Sequence, residues 1–136
     1  MDQQPTQQPQ FKQPTVLLVE DAQFIAELYT RALSKAGFVV ETADDGQKAL
    51  DIAMKESFDV ILLDIMLPTM NGVDMLYRMK DPGVTPPITS KIIITTNLDQ
   101  PEEARIKIDK LADGYLIKAE ITPKELVSYV KQVLGT

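Results

Sequence analysis

The sequence predicts an α/β fold in which helices cover both faces of a parallel β-sheet. Short aliphatic segments recur along the chain, and each is followed by apolar residues at helical spacing. Such short apolar runs are typical of strands that are buried on both faces of a sheet. Because strand and helix alternate five times, we expect a five-stranded sheet joined by right-handed crossovers.

The first two strands differ in character. Residues 16–19 are all aliphatic and predict a buried strand, and the helix after it should stop at Gly37, since glycine often follows the last helical turn. Residues 38–42 have a more polar end and predict a second strand nearer the sheet margin. Asp45 then suits the N-cap of the second helix, because its carboxylate can accept backbone N–H groups.

The third strand is predicted at the centre of the sheet. Residues 60–63 are four aliphatic residues in a row, and the run stops at Asp64. Pro68 and the Asn-Gly pair at 71–72 then require a loop, which keeps Asp64 at a rim. Ligands of open α/β sheets bind beyond the carboxyl ends of the strands, so Asp64 is a candidate reaction centre, metal ligand or helix cap.

The last two units carry clear end signals. Residues 91–96 and 114–117 are the fourth and fifth predicted strands, and Pro101 suits the first turn of the helix between them. Thr122 and Glu125 have the spacing of a capping box at the start of the final helix.

The composition excludes several classes of function. The chain has 136 residues, of which 44% are hydrophobic and 25% charged, as in an ordinary globular domain. It contains no His and no Cys, which removes histidine bases, imidazole or thiolate metal sites, and disulfides. The net charge of −6 argues against a nucleic-acid-binding surface.

The chain divides into a tail and one domain. Residues 1–14 are rich in Gln and Pro and are predicted to be disordered, and residues 15–136 are predicted to form the domain. The sequence contains neither a membrane-spanning segment nor an apolar signal core, so we expect a cytoplasmic protein without membrane contact.

Polar residues stand at the ends of four predicted strands. Glu20 and Asp21 follow the first strand, Asp64 the third and Lys118 the fifth, while Thr96 ends the fourth. We expect these side chains to converge at one rim. Three carboxylates together need a cation, and an all-oxygen ligand set favours Mg²⁺, with Mn²⁺ as an alternative. Lys118 and Thr96 could then stabilise a phosphoryl group on Asp64, the covalent nucleophile of an aspartyl phosphate.

Each of these residues also has a simpler structural interpretation. An acidic pair after a strand is more often a helix cap than a metal site, and a strand-end Thr often bonds only the backbone. A Lys at a sheet edge often serves only to prevent edge pairing. The joint appearance of these residues in this order favours the functional interpretation.

The same segments carry a resemblance to a known family. From about Thr15 to Leu134 the chain resembles the receiver domain of two-component response regulators, which implies a CheY-like, flavodoxin-like sheet in the order 2-1-3-4-5. The resemblance is carried by Leu18-Val19-Glu20-Asp21, Asp44-Asp45-Gly46, residues 59–72 (DVILLDIMLPTMNG), Ile93-Ile94-Thr95-Thr96 and Gly114-Tyr115-Leu116-Ile117-Lys118.

The resemblance implies a role for each residue of the acidic rim. Asp64 would be the phosphoacceptor and Lys118 the phosphate-binding lysine. Asp21 and Asp64 would ligate Mg²⁺ directly, Glu20 would act through a metal-bound water, and Met66 would offer its backbone carbonyl to the metal.

Two further residues are implied as a switch. Thr96 would be the switch hydroxyl, and Tyr115 the aromatic that moves between exposed and buried rotamers. Thr96 is preferred to Thr95 because it leaves Tyr115 and Lys118 at the offsets usual in the family. A plain core aromatic is the alternative interpretation of Tyr115.

The resemblance also implies partners. A histidine kinase or phosphotransfer protein would donate the phosphoryl group, and an unidentified downstream protein would read the altered surface, with phosphorylation-dependent dimerisation as a further outcome. We expect a signalling phosphoacceptor that assists its own phosphotransfer and dephosphorylation, not an enzyme with a separate substrate. Because no output domain follows Gly135 in this sequence, we expect a stand-alone receiver that acts through protein contacts, with a fragment of a longer protein as the alternative.

Some positions depart from the usual receiver pattern. Ala119 stands where most receivers have Pro, and Asn97 where they have a small residue. Met66 and Leu98 occupy positions that influence loss of phosphate in the family, and both are apolar here. We therefore expect neither to orient an attacking water, so that the acyl phosphate is comparatively long-lived.

Three functions are alternatives to that of a phosphoacceptor receiver. A pseudo-receiver, acting as a phosphorylation-independent protein-interaction module, is kept open by Ala119 and Asn97. A phosphatase of the haloacid dehalogenase type would need a second Asp at the position of Met66. A flavodoxin-like cofactor binder would need a Ser/Thr/Gly-rich loop in place of Glu20 and Asp21.

Overall fold

Strand and helix alternate along the part of the chain that the structure, a computed structural model, describes: residues 13–68, 70–84 and 87–136. A 3₁₀ turn, Lys118–Glu120, links the last strand to the last helix. Residues 1–12 of the predicted tail lie outside the described residues. The elements in chain order are β1 (Thr15–Val19), α1 (Gln23–Lys35), β2 (Val39–Ala43), α2 (Gly46–Lys55), β3 (Val60–Asp64), α3 (Gly72–Met79), β4 (Lys91–Thr96), α4 (Glu102–Leu111), β5 (Gly114–Ile117) and α5 (Pro123–Leu134).

The five strands form one parallel sheet in the order β2-β1-β3-β4-β5. This arrangement confirms the predicted fold class and strand order. The register sets Val19 beside Leu63 and Asp64 beside Thr95. The central strands therefore end at nearly the same level, and the polar residues that follow them share one edge of the sheet.

The apolar residues divide between two cores, one on each face of the sheet. One core packs against α2, α3 and α4, and the other against α1 and α5. Strand β3 is buried over its full length, which explains why its sequence is continuously apolar and not alternating. Strand β2 lies at the sheet edge and is partly exposed, as its polar end predicts.

Capping residues set the helix ends as the sequence predicts. The Asp45 side chain accepts the backbone N–H of Lys48 at 2.8 Å, and Thr122 and Glu125 form a capping box. Gly37 has a φ of +99°, a conformation that side chains with a Cβ rarely adopt. This backbone angle makes Gly37 the end signal of α1.

A few local predictions differ from the structure. Strand β2 runs over Val39–Ala43 and not 38–42, because the Phe38 N–H donates to the Leu33 carbonyl at the end of α1 and pairing with β1 begins at Val39. Pro101 precedes α4 as its N-cap and does not lie in its first turn. Tyr29 on α1 and Met75 on α3 are buried. None of the described helices is both long enough and apolar enough to cross a membrane.

Candidate functional site

The ends of β1, β3 and β5 bring the charged residues together. Glu20 and Asp21 directly follow β1, Asp64 is the last residue of β3, and Lys118 directly follows β5. Glu20 and Asp64 are only 3% and 2% exposed. The sheet therefore holds two carboxylates in an environment where charges need partners.

The carboxylates of Glu20, Asp21 and Asp64, here called the acidic cluster, have oxygens within 4.8 Å of one another. Asp21 is exposed, whereas the other two are buried. An open depression of about 410 Å³ lies beside the cluster and is lined in part by Glu20, Asp21 and Asp44. Carboxylate oxygens are the ligands that Mg²⁺ takes in proteins, and the exposed side admits the waters that complete its octahedron. The residues therefore fit Mg²⁺.

Lys118 is the cation that neutralises part of the acidic cluster. Its Nζ donates to Oε1 of Glu20 and, at 3.0 Å, to Oδ2 of Asp64, and its side chain is 7% exposed. Burial by itself lowers the pKa of Lys118. The hydrogen bonds and charges of the two carboxylates together outweigh burial, and the pKa of Lys118 is raised above its ordinary value.

The pKa of Glu20 reflects its burial more than its hydrogen-bond donors. Burial raises the pKa of Glu20, and the charge of Asp64 adds to the increase. Lys118 and the backbone N–H of Ala22, which donates to Glu20 Oε2 at 3.1 Å, oppose it. Burial outweighs these donors, so the pKa of Glu20 stays above its ordinary value.

Asp64 has both carboxylate oxygens engaged. Its Oδ1 accepts the backbone N–H of Met66 at 2.9 Å, while Oδ2 faces Lys118. The turn is fixed by Gly72, whose N–H donates to the Ile65 carbonyl at 3.2 Å and where a Cβ would lie 2.3 Å from Ile65 Cα. The side chain of Met66 is 45% exposed, so it is its backbone that belongs to the turn around Asp64.

Thr96 is directed into the loop after β4. Its Oγ1 donates to the Leu98 carbonyl at 2.7 Å and accepts the Leu98 N–H at 3.3 Å and the Gln100 Nε2 at 3.1 Å. Asp64 lies laterally beside Thr95, and Thr96 is one residue further along β4. Within the described residues, no hydrogen bond joins Thr96 to the acidic cluster.

Gln100 links Thr96 to Tyr115. Its backbone N–H donates to the Tyr115 hydroxyl at 2.9 Å, and that hydroxyl donates to Asp99 Oδ1 at 2.8 Å. The guanidinium of Arg105 lies 3.8 Å from the centre of the Tyr115 ring and contacts Asp99 Oδ1 at 3.3 Å. These five residues, Thr96, Asp99, Gln100, Arg105 and Tyr115, are here called the loop network.

The loop network changes the ionisation of its members. Burial raises the pKa of Tyr115, and the hydrogen bond to Asp99 adds to the increase against the opposing N–H of Gln100. The same hydrogen bond from Tyr115 lowers the pKa of Asp99. Tyr115 is half-buried, packs against the core on the side of α2, α3 and α4, and has a bonded hydroxyl.

Sequence reasoning missed three members of the loop network: Asp99, Gln100 and Arg105. Their contacts depend on the path of the loop before α4, which leaves no periodic signal in the sequence. Asn97 and Ala119, two of the positions that depart from the receiver pattern, are both exposed at the surface.

Comparisons with known proteins agree with this geometry. The sequence profile of the family described as the response regulator receiver domain matches residues 16–131. The transcriptional regulatory protein CusR of Escherichia coli (strain K12) is 35% identical over 119 residues, which are 88% of this chain and 50% of that protein. The chain spans about half the length of CusR and of other curated regulators that it matches.

Solved structures show the same architecture. A CheY-like response regulator receiver domain protein from Methanospirillum hungatei JF-1 is similar with a TM-score of 0.80 and 27% identity, covering 91% of this chain and 95% of that one. The chemotaxis response regulator CheY4 of Vibrio cholerae is similar with a TM-score of 0.78 and 30% identity, covering 90% and 99%.

Proposed function

This chain belongs to the family of response regulator receiver domains of two-component systems, and from that premise we propose that Asp64 accepts a phosphoryl group in a Mg²⁺-dependent reaction. The observation that carries the proposal is the acidic cluster itself. Three carboxylates converge within 4.8 Å, with the buried ammonium of Lys118 bonded to two of them. A helix cap alone would not need this combination of charges.

The proposed metal site uses the acidic cluster and the turn after β3. Asp21 and Asp64 hold the ion directly, Glu20 through a water, and Met66 through its backbone carbonyl. A bound Mg²⁺ supplies positive charge that neutralises the oxygens of the transferring phosphoryl group. The burial of Glu20 and Asp64 supports this assignment, because a bound cation offsets the cost of keeping buried carboxylates ionised.

The proposed reaction is a displacement at phosphorus. A carboxylate oxygen of Asp64 attacks the phosphorus of a phosphohistidine, an O–P bond forms, the P–N bond breaks, and the imidazole leaves on the donor protein. Lys118 then donates to a phosphoryl oxygen. Support comes from its Nζ, which lies 3.0 Å from Asp64 Oδ2 and whose protonated form is favoured by the carboxylates of Glu20 and Asp64.

The proposed output is a change in the loop network. Thr96 turns its hydroxyl toward the phosphoryl group, and Tyr115 changes rotamer, so phosphorylation shifts the population of a two-state surface. The donor is a histidine kinase or a phosphotransfer protein, and the receiver of the signal is a protein that binds the altered surface. In this proposal the chain is a signalling module that assists its own phosphotransfer and dephosphorylation.

The proposal is tested by intact-protein mass after incubation with acetyl phosphate and Mg²⁺. We expect one phosphoryl adduct on the wild type, none on Asp64→Asn, and none on either protein when a chelator removes the metal. A wild type that neither gains the adduct nor binds Mg²⁺ would instead be a pseudo-receiver, a phosphorylation-independent interaction module.

The lifetime of the acyl phosphate gives a finer test. Met66 and Leu98 are 45% and 66% exposed and carry no group that can orient water for attack on phosphorus. A carboxylate at position 98 can act as such a base, so Leu98→Glu should shorten the half-life of the phosphorylated protein by at least about tenfold. Met66→Asn should act in the same direction.

The matched control for the half-life is Ile106→Glu. Ile106 is 51% exposed on α4, so this substitution adds the same charge to the surface at a different place. It should leave the half-life unchanged. An equal or longer half-life in Leu98→Glu would show that the apolar side chains do not limit hydrolysis.

A further inference from the structure

The hydroxyl of Thr96 has no free bonding capacity in this arrangement. A threonine hydroxyl has one proton to donate and two lone pairs to accept with. Thr96 Oγ1 donates to the Leu98 carbonyl and accepts from the Leu98 N–H and from Gln100 Nε2. Thr96 must therefore give up its bond to the Leu98 carbonyl before it can donate to a phosphoryl oxygen on Asp64.

Gln100 contacts both residues of the predicted switch. Its side-chain amide donates to Thr96 Oγ1 at 3.1 Å and to the Leu98 carbonyl at 3.0 Å. Its backbone N–H donates to the Tyr115 hydroxyl at 2.9 Å. Gln100 therefore forms hydrogen bonds with the hydroxyl groups of both Thr96 and Tyr115.

The hydrogen bonds of Gln100 differ between two arrangements of the switch: one in which Thr96 faces the loop and one in which it turns toward Asp64. If Thr96 turns away, the amide of Gln100 keeps its bond to the Leu98 carbonyl and loses only its bond to Thr96. The N–H of Leu98 can then bond water, because Leu98 is 66% exposed. The net effect of the Gln100 side chain is thus to favour the arrangement in which Thr96 faces the loop.

Asp99 and Arg105 stabilise the position of Tyr115, the second residue that Gln100 contacts. Asp99 Oδ1 accepts a hydrogen bond from the Tyr115 hydroxyl, and the Arg105 guanidinium lies over the Tyr115 ring. A change in the Tyr115 rotamer breaks the bond from the Gln100 N–H as well, so the two switch residues meet at one loop residue.

We propose that Gln100 is a positioning residue that holds Thr96 and Tyr115 in the unphosphorylated arrangement and thereby limits how readily Asp64 is phosphorylated. This inference rests on the proposed role of Asp64 as phosphoacceptor. It assigns to Gln100 a part in setting the threshold of the switch, at a site formed by the loop between β4 and α4.

The test compares Gln100→Met with the wild type, since Met has nearly the same length and no donor. Loss of one net hydrogen bond corresponds to about a fivefold change, so the rate constant of phosphorylation by acetyl phosphate and Mg²⁺ should rise about fivefold. The same substitution in a Thr96→Val background should change the rate constant less than about twofold, because the hydroxyl that Gln100 holds is then absent.

The matched control is Gln47→Met, which removes the Gln47 Nε2 to Asp51 Oδ1 hydrogen bond on α2 and should leave the rate constant unchanged. A rate constant of Gln100→Met equal to the wild type would overturn the proposal. So would an equal gain in the Thr96→Val background, because Gln100 would then act without Thr96.

A measurement without phosphorylation separates this inference from the proposed function. NMR scalar couplings from the Thr96 methyl carbon to the backbone report the χ1 rotamer of the unphosphorylated protein. We expect couplings of one rotamer in the wild type and averaged couplings in Gln100→Met. Identical couplings in the two proteins would overturn the positioning role even where Asp64 is phosphorylated, and averaging would support it even where no adduct forms.

Discussion

The acidic cluster and the loop network lie at the same edge of one sheet, yet they are held by different forces. In the cluster, Lys118 and two carboxylates are almost fully buried and bind one another as ions. In the loop network, most contacts are neutral or exposed hydrogen bonds around the half-buried Tyr115. Breaking the first arrangement leaves a buried charge, whereas water can replace many bonds of the second.

This difference suggests a division of work. The acidic cluster follows directly from strand ends whose register is fixed by buried ladders, so its geometry persists through a reaction. The loop network is held by hydrogen bonds that water can replace, so we expect its rearrangement to cost less free energy, which suits a switch. Variants that remove one contact from each region should therefore differ in size of effect.

The largest effect is expected when the buried cation is removed. Lys118→Met leaves Glu20 and Asp64 buried without their shared partner, and the free energy of unfolding should fall by about 3 kcal/mol in the absence of metal. Added Mg²⁺ should restore part of the loss, because it neutralises the same carboxylates. Chemical denaturation with and without Mg²⁺ measures both effects.

The control for Lys118 is Lys80→Met, which removes a partly exposed ion pair with Asp113 at 3.4 Å. Its effect should stay within about 1 kcal/mol. An equal loss of unfolding free energy in the two variants would show that the buried carboxylates depend on Lys118 no more than a surface carboxylate depends on its lysine. That result would contradict the proposed difference between the two regions.

The second effect concerns the turn that carries Asp64. A Cβ on Gly72 would meet Ile65 Cα at 2.3 Å and the Ile65 carbonyl oxygen at 2.5 Å, and backbone cannot move aside cheaply. Gly72→Ala should lower the free energy of unfolding by about 2 kcal/mol, within the usual range for overpacking. Thermal or denaturant unfolding measures this loss.

Gly83→Ala is the control for that substitution, because its nearest neighbour is the flexible Asp81 side chain at 3.3 Å. The change should be within about 0.5 kcal/mol. A Gly72→Ala protein as stable as Gly83→Ala would show that the turn around Asp64 is not fixed by this close approach.

A smaller effect is expected in the loop network. Tyr115→Phe removes the hydroxyl shared by Asp99 and the Gln100 N–H, and the free energy of unfolding should fall by about 1 kcal/mol. Tyr77→Phe, on a side chain that is 47% exposed on α3, should change it less. A loss of unfolding free energy in Tyr115→Phe as large as in Lys118→Met would show that the two regions contribute equally to stability, which would contradict the proposed difference.

The smallest effect is a change of ionisation without loss of fold. Asp99→Asn removes an anionic acceptor that disfavours the tyrosinate, so the pKa of Tyr115 should fall toward its ordinary value while burial keeps it somewhat raised. Since a raised pKa favours the neutral folded form, the stability from Tyr115 is present at neutral pH and declines as the pH rises through its folded pKa. NMR titration of the Tyr ring signals measures this pKa, and an unchanged or higher value in Asp99→Asn would remove Asp99 from the network.

The sequence predicts the acidic cluster better than it predicts the loop network. Aliphatic runs and helix caps gave the strand ends to within a residue, and parallel strands must end at a common edge. The convergence of Glu20, Asp21, Asp64 and Lys118 at one rim therefore follows from periodicity, whereas the order of the strands comes from the family resemblance.

The loop network lies beyond such reasoning because it depends on side-chain rotamers and on the path of one loop. Nothing in the spacing of residues tells which way the Thr96 hydroxyl turns or that Gln100 meets it. The direct roles of Thr96 and Tyr115 in switching come from the family resemblance and stay predictions.

The most direct test of the account is to find which of three neighbouring carboxylates carries the phosphoryl group. Protein treated with acetyl phosphate and Mg²⁺ is reduced with borohydride, which converts an aspartyl phosphate to homoserine, and peptide mass spectrometry locates the converted residue. We predict conversion at Asp64 alone, because Asp64 is the one carboxylate of the three that belongs to the acidic cluster, contacts Lys118 and bonds the turn after β3. Conversion at Asp21, reduction of Glu20, or adducts spread over all three carboxylates would contradict it.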